Sequence, residues 1–146
     1  AGRLIGVNSA IRSSSGSSAG VGFAIPVDLV NRIVPQLIAR GFASTPGIGI
    51  VPVDPILVAQ NGIKGVVISQ IRARTPAATA GLKALARRTG ELGDVITAVN
   101  GREVESLSTF IAELDRVGIG NTAELTLMRD GKSRKERLQV IDTNQK

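Results

Sequence analysis

The sequence has 146 residues, with 18 Lys and Arg against 12 Asp and Glu, and contains neither His nor Cys. This length fits one ordinary domain, or a domain of about 100 residues with part of a second, and without His and Cys these residues cannot build a Ser/His/Asp relay, a thiolate nucleophile or a zinc–sulfur site. The net charge of +6 does not indicate a nucleic-acid binder, because acidic residues lie between the basic ones and no Tyr or Trp is present to stack on bases.

The first 25 residues are typical of a β-hairpin. Residues 4–11 (LIGVNSAI) and 21–25 (VGFAI) are apolar and β-prone, and the Ser/Gly run at 13–20 between them predicts a flexible loop. Two strands alone are only marginally stable in water, so we expect this segment to add little stability by itself.

An amphipathic helix is predicted from Pro26 onwards. Its apolar residues recur at the three-and-four spacing of a helix, and Gly41 is a typical helix stop. Pro35 conflicts with this pattern, because a proline inside a helix removes one hydrogen bond. We therefore expect a kink or break near residue 34.

After Gly41 the pattern changes to short strands separated by turns. One helix is predicted among them, with Ser106 as its N-cap. The strands are predicted at 47–53, 65–71, 94–99, 124–129 and 134–141, and the last two flank the turn dipeptide Asp130-Gly131. These elements predict a compact α+β unit of about 100 residues. No apolar run is long enough to span a bilayer.

The order of these motifs resembles the HtrA/Deg serine proteases. Residues 4–11 and 20–38 (GVGFAIPVDLVNRIVPQLI) are similar to the end of their protease domain, and PGIGI, GVVI, TPAATAGL and GELGDVITAVNGREV follow in the order of their PDZ domain. The resemblance implies an α+β fold in three parts. Residues 1–25 would be the last strands of a trypsin-like β-barrel, 26–44 a linking helix, and 45–146 a PDZ domain, which is a small, partly open β-barrel or sandwich with one main and one short helix.

In that family the nucleophilic serine lies in a GNSGG motif just before the strand that residues 4–11 resemble, and this sequence contains no such motif. Ser9 and the serines at 13–18 are therefore not expected to be nucleophiles. The resemblance implies instead that Asn8, Ser9 and Ala10 line the primary specificity pocket of an intact enzyme. The simpler alternative, which we favour for this chain, is that they only end a strand.

Residues 47–50 (GIGI) predict a binding site for a free carboxylate. Glycine lets the backbone turn several N–H groups into one concavity that binds an anion, and Ile48 and Ile50 would supply apolar walls. The resemblance to PDZ domains implies that a peptide C-terminus contacts the N–H groups of Ile48, Gly49 and Ile50. For the GIGI sequence alone, a strand start relieved by glycine is the alternative.

The bound peptide is expected to pair with the strand that begins at Ile50 and includes Val51, by β-augmentation. Pro52 has no N–H and should limit this pairing. The helix after Ser106 is the predicted second wall of the groove. We expect its apolar residues to divide between the ligand (Leu107 and Ile111) and the core (Phe110 and Leu114).

Other segments are given structural roles. Residues 75–82 (TPAATAGL) resemble the short packing helix of the family, and Asp94 and Asn100 are attributed to turn geometry rather than catalysis. The basic insertion Lys83–Glu91, with Arg87 and Arg88, is interpreted as an exposed loop that could touch a neighbouring subunit.

The resemblance implies the peptide-binding PDZ region of an HtrA/Deg-type serine endopeptidase of protein quality control. This chain alone is expected to be inactive, with no metal or cofactor. Expected partners are C-terminal or unfolded-protein peptides and, for the parent protein, further copies in a trimer, with no nucleic acid and no membrane span. The implied location is the periplasm or another extracytoplasmic compartment. The alternative is a non-enzymatic PDZ adaptor in which residues 1–25 are a vestige.

Overall fold

The computed structural model describes residues 2–12, 21–86 and 88–144. The chain forms two compact units, Ala1–Ser44 and Thr45–Lys146. The flexible loop predicted at 13–20 and the side chain of Arg87 lie outside the described residues.

The first unit contains the predicted hairpin. Strand β1 (Gly6–Arg12) pairs antiparallel with β2 (Val21–Pro26), and the register is interrupted by a bulge between Asn8 and Ala10. Pro26 terminates β2 and also occupies the N-cap position of the following helix.

Helix α1 (Val27–Arg40) continues through Pro35, so of the kink or break expected near residue 34 the break is wrong. Proline removes the hydrogen bond that its own N–H would have donated, and its ring crowds the carbonyl four residues earlier. The turn around it gains another bond, because Gln36 Nε2 donates to the carbonyl of Arg32 at 2.8 Å. Gly41 ends the helix as predicted, with φ +76° and its N–H bonded to Leu37 O.

The second unit is an α+β fold with three helices. The helices are α2 (Pro55–Gln60), α3 (Pro76–Thr79) and α4 (Leu107–Val117). The strands are β3 (Pro46–Gly47), β4 (Ile50–Pro52), β5 (Val66–Ile71), β6 (Val95–Val99), β7 (Arg102–Glu103), β8 (Thr122–Arg129), β9 (Lys132–Gln139) and β10 (Ile141–Asp142).

The main sheet has the antiparallel order β4-β5-β6-β8-β9, with β7 also paired to β6. The short strands β3 and β10 form a separate pair. In the part of the chain that the structure describes, these sheets are open and none closes into a barrel. Strand β4 is therefore an edge strand.

Two predicted turns have the expected geometry. Asn100 and Gly101 have φ angles of +48° and +76°, and Asp130 and Gly131 have +51° and +72°. Positive φ at both central residues matches the right-handed twist of the paired strands, which is why Asn-Gly and Asp-Gly favour such turns. Asn100 Oδ1 also accepts the N–H of Glu124 at 2.8 Å.

Helix α2 was not predicted, although its start has a local signal. Asp54 is its N-cap and accepts the N–H of Ile56 at 2.8 Å, and Pro55 occupies the first turn, where its missing N–H costs nothing. The predicted strand at 47–53 is also divided, because Ile48 and Gly49 leave the strand conformation between β3 and β4.

The two faces of the sheet bury separate apolar clusters. The main core takes side chains from the sheet and α4 and includes Phe110 and Leu114, as predicted. A smaller cluster on the other face joins Val58 of α2 to Val67 and Val95. Alternate residues of a strand face opposite ways, so β5 contributes to both clusters.

Asp94 is not explained by turn geometry, and that part of its interpretation is corrected. Its side chain is fully buried and accepts two hydrogen bonds from Arg129, at 2.7 and 2.6 Å, and one from the N–H of Lys83 at 2.7 Å. Burial alone raises the pKa of Asp94, but the hydrogen bonds from Arg129 and Lys83 and the positive charge of Arg129 lower it, and the net pKa lies below its usual value.

The insertion Lys83–Glu91 is tied to the sheet at its start. The N–H of Leu85 donates to Ile68 O at 2.8 Å, and the N–H of Ala86 donates to Glu91 O at 3.0 Å. The second of these bonds closes a turn within the insertion. The buried Asp94 holds the first residue of the insertion, because its carboxylate accepts the N–H of Lys83.

Candidate functional site

The GIGI loop, residues 47–50, has two of its carbonyl groups occupied, those of Ile48 and Gly49. The carbonyl of Ile48 accepts the N–H of Ala77 at 3.0 Å, and the carbonyl of Gly49 accepts the N–H of Arg72 at 2.8 Å. Among the described residues, the N–H groups of Ile48 and Gly49 donate to no acceptor, although both residues are buried. An unpaired buried N–H is costly, so the loop holds two successive donors that an anion would satisfy.

The N–H of Ile50 also faces away from the sheet. Ile50 lies opposite Ile71 in the β4–β5 ladder, and the bond from Arg72 N–H to Gly49 O flanks this pair. In an antiparallel ladder such flanking bonds mark a non-hydrogen-bonded pair, whose own N–H and C=O groups point outward. The N–H of Ile50 therefore points to the open edge of β4.

The shape of the loop depends on Gly49. Its φ is +90°, and the side chain of Thr75 occupies the space that a Cβ at Gly49 would need. Thr75 is fixed there because its Oγ1 donates to the carbonyl of Arg72 at 2.7 Å. Thr75 and Arg72 are site residues that the sequence argument missed. The TPAATAGL motif was a signal for Thr75, but it was interpreted only as a packing helix.

The edge strand β4 offers little backbone pairing beyond Ile50. Val51 lies opposite Gln70, and Pro52 lies opposite Ile68, so Ser69 is left out of the register as a bulge. Pro52 has no N–H to donate. An added strand would therefore be held mainly near the GIGI loop.

Helix α4 is the predicted second wall of the groove. Ser106 caps it as predicted, accepting the N–H of Thr109 at 3.3 Å. Leu107 is half-buried against the main core, whereas the side chain of Ile111, one turn later, is 40% exposed.

The start of α4 and the end of β4 share one apolar hollow. Leu107, Pro52 and Val53 line a cavity of about 90 Å³, together with residues of α2 and β5. Ile111 does not line this cavity. Ile48, which was expected to supply an apolar wall, has no exposed surface and belongs to the main core.

Asn8, Ser9 and Ala10 lie on β1 in the first unit. All three are exposed, and they line a shallow hollow together with Gly22 and Phe23. Ser9 Oγ donates to the carbonyl of Phe23 at 3.2 Å. This bond ties the bulged part of β1 to its partner strand.

Two classes of site have no candidate within the described ranges. No group of three or more acidic side chains there could hold a metal ion. No helix among those residues is long and apolar enough to cross a membrane.

A family model for the PDZ domain matches residues 46–140. The chain belongs to the PDZ domain family. Its PDZ domain is of the HtrA/DegP type, and peptide binding is the role that fits this family.

The named relatives are proteases. The chain is 40% identical over 143 residues to Protease Do-like 1, chloroplastic, of Arabidopsis thaliana, covering 95% of this chain and 32% of that protein. It is 32% identical over 149 residues to the periplasmic serine endoprotease DegP of Escherichia coli (strain K12), covering 99% and 30%. The chain thus spans about a third of the length of these curated relatives. They give the adaptor alternative no support.

Solved structures show the same likeness. The HtrA-type protease AlgW with decapeptide has a TM-score of 0.67 at 27% identity, covering 98% of this chain and 43% of that one. AlgW with tripeptide has a TM-score of 0.65 at 28% identity, covering 94% and 45%.

Proposed function

We propose that the unit Thr45–Lys146 binds peptides with a free, apolar C-terminal residue in the groove between β4 and α4. The carboxylate would accept hydrogen bonds from the N–H groups of Ile48, Gly49 and Ile50. The preceding residues would pair with the edge of β4 at Ile50 and Val51, and Leu107 and Ile111 would contact the ligand side chains.

The observation that carries this proposal is the pair of buried, unbonded N–H groups beside an open strand edge. Charge-assisted hydrogen bonds to such donors are each worth roughly 1.5 to 3 kcal/mol. Ile48 has no exposed surface, so neighbouring side chains must move before a ligand reaches its N–H. Binding at roughly micromolar affinity is the expected net result.

At the level of the whole protein, we propose an HtrA/Deg-type serine endopeptidase of protein quality control, assembled as a trimer in the periplasm or another extracytoplasmic space. In this proposal residues 1–25 are the last strands of the protease domain, 26–44 the linking helix and 45–146 the PDZ domain. Asn8, Ser9 and Ala10 would belong to its specificity pocket. Serine protease relatives support the proposal, and periplasmic is part of the name of DegP.

These 146 residues lack His, so they cannot supply a Ser/His/Asp triad. The proposed contribution of the chain is therefore the capture of peptides rather than their cleavage.

Titration of one peptide in free-acid and amidated forms tests the groove. Amidation removes the negative charge, so we expect it to weaken binding about tenfold or more. In a second arm, Ile111→Ala should weaken binding of the free acid, whereas Ile119→Ala should not. Ile119 has similar exposure, 44% against 40%, but lies outside α4. Equal affinities for the acid and the amide would contradict the proposal.

A further inference from the structure

Beside the GIGI loop lies an arginine, Arg72, that has no ion-pair partner among the described residues. Arg72 follows β5 directly, and its N–H donates to the carbonyl of Gly49 at 2.8 Å. Its side chain is exposed and makes no salt bridge with any residue that the structure describes. The guanidinium is therefore available to a ligand.

The bulge at Ser69 determines on which face of the sheet the residues after it lie, including Arg72. After the bulge, Ile71 and its partner Ile50 pack against the main core, while Gln70, opposite Val51, is exposed. Continuing the alternation of β5 one residue beyond its end at Ile71 places Arg72 on the outer face with Gln70.

The side chains of a bound, extended peptide also point alternately to the two faces of the sheet. If its last side chain enters the apolar groove beside α4, its penultimate side chain faces the outer side, over Val51. The peptide lies two strand spacings from β5, and Arg72 lies two residues along the chain from Gln70, the partner of Val51. The two Cα atoms are therefore about 12 Å apart, a gap that an extended Arg and an acidic side chain bridge together.

We propose that Arg72 gives the groove a preference for Asp or Glu at the penultimate position of the ligand. This inference rests on the proposed function and specifies its substrate class. Ion pairs on an exposed surface are weak, so the preference is about two- to fivefold and falls as salt is added.

The general positive charge of the chain could produce a similar preference, so the control must remove one charge elsewhere. Lys132 is exposed and lies on β9, at the opposite edge of the sheet. Four strand spacings, about 19 Å, separate β9 from β4, so Lys132→Gln lowers the net charge without touching the groove.

The test uses the full chain and two free-acid peptides that differ only in Glu or Gln at the penultimate position. For the unchanged chain and for Lys132→Gln, we expect the Glu peptide to bind about two- to fivefold more tightly than the Gln peptide. For Arg72→Gln, we expect the two peptides to bind equally. Arg72→Glu should reverse the preference in favour of a penultimate Lys.

Each outcome separates the two levels of the proposal. Suppose that both peptides bind and that amidation weakens each of them. If the ratio of the affinities for the Glu and Gln peptides is then the same in Arg72→Gln as in the unchanged chain, the proposed role of Arg72 is wrong, but the proposed groove is supported. If neither peptide binds, or amidation has no effect, the proposed function fails and the inference fails with it.

Discussion

At the scale of single residues, the site depends on a backbone conformation that only glycine adopts easily. Gly49 has φ +90°, and Thr75 fills the volume next to its Cα. A side chain at this position would be strained by the backbone angle and would also collide with Thr75. Both effects would move the neighbouring N–H groups.

Gly49→Ala is expected to weaken peptide binding about tenfold or more, since one decade corresponds to 1.4 kcal/mol and displaced donors lose charge-assisted bonds. Gly120→Ala is the matched control, because Gly120 also has φ +90° but nothing lies within 4 Å of an added Cβ. It should lower stability by about 1–3 kcal/mol through backbone strain and leave peptide affinity unchanged. Calorimetric titration and thermal unfolding of both variants give the comparison. Unchanged affinity in Gly49→Ala would contradict the role of this loop.

At the scale of elements, the ion pair of Asp94 and Arg129 joins the insertion to strand β8. Arg129 also donates to the carbonyl of Gly81 at 3.2 Å, so one side chain holds both ends of the segment that runs from α3 to β6. Removing one partner of a buried pair leaves the other charge and its donors unsatisfied. The pair therefore fixes an otherwise irregular stretch of chain.

Asp94→Asn should lower the free energy of unfolding at pH 7 by about 1–3 kcal/mol. The folded-state pKa of Asp94 lies below its unfolded value, which is near 4, so its stabilising effect is complete above that pH and is lost as the pH falls through the folded-state pKa. The difference between the unchanged chain and Asp94→Asn should thus shrink from pH 5 to pH 2.

Thermal unfolding at several pH values measures that difference. Glu124→Gln is a suitable comparison, because Glu124 pairs with Lys135 and Arg137 at the surface, where water and salt screen the interaction. Its effect at pH 7 should be clearly smaller. An effect of Asp94→Asn that is the same at pH 7 and pH 2 would contradict this account.

At the scale of the whole molecule, the described core belongs to the second unit. The buried apolar residues run from Ile48 to Val140, and α1 has no buried residue. An isolated hairpin and a helix without buried residues contribute little hydrophobic free energy. We therefore expect the second unit to fold on its own.

Deletion of residues 1–44 should leave a chain that unfolds in one cooperative transition with a melting temperature close to that of the full chain. The reason is that neither buried cluster takes a side chain from the deleted segment. Calorimetry of the two chains tests this, and binding of the free-acid peptide to the shorter chain is a second measurement. A large fall in melting temperature would mean that the first unit supports the second.

Much of the fold could be predicted because its signals are local. The Asn-Gly and Asp-Gly turns, the Ser106 cap and the burial of Phe110 and Leu114 follow from chemistry within a few residues. A carboxylate site was predicted from GIGI and family resemblance. Its assignment to individual N–H groups remains a prediction.

The sequence alone determined most of the elements and their order, the absence of His and Cys chemistry and, through resemblance, the family. The tertiary structure decided which groups meet: Thr75 behind Gly49, Arg72 beside the groove, and Asp94 against Arg129, 35 residues away. It also decided that, beyond the Ser69 bulge, Ile71 packs against the core. The physical reason is that propensity and hydrophobic period act over a few residues, whereas partners distant in sequence are brought together only by the path of the folded chain.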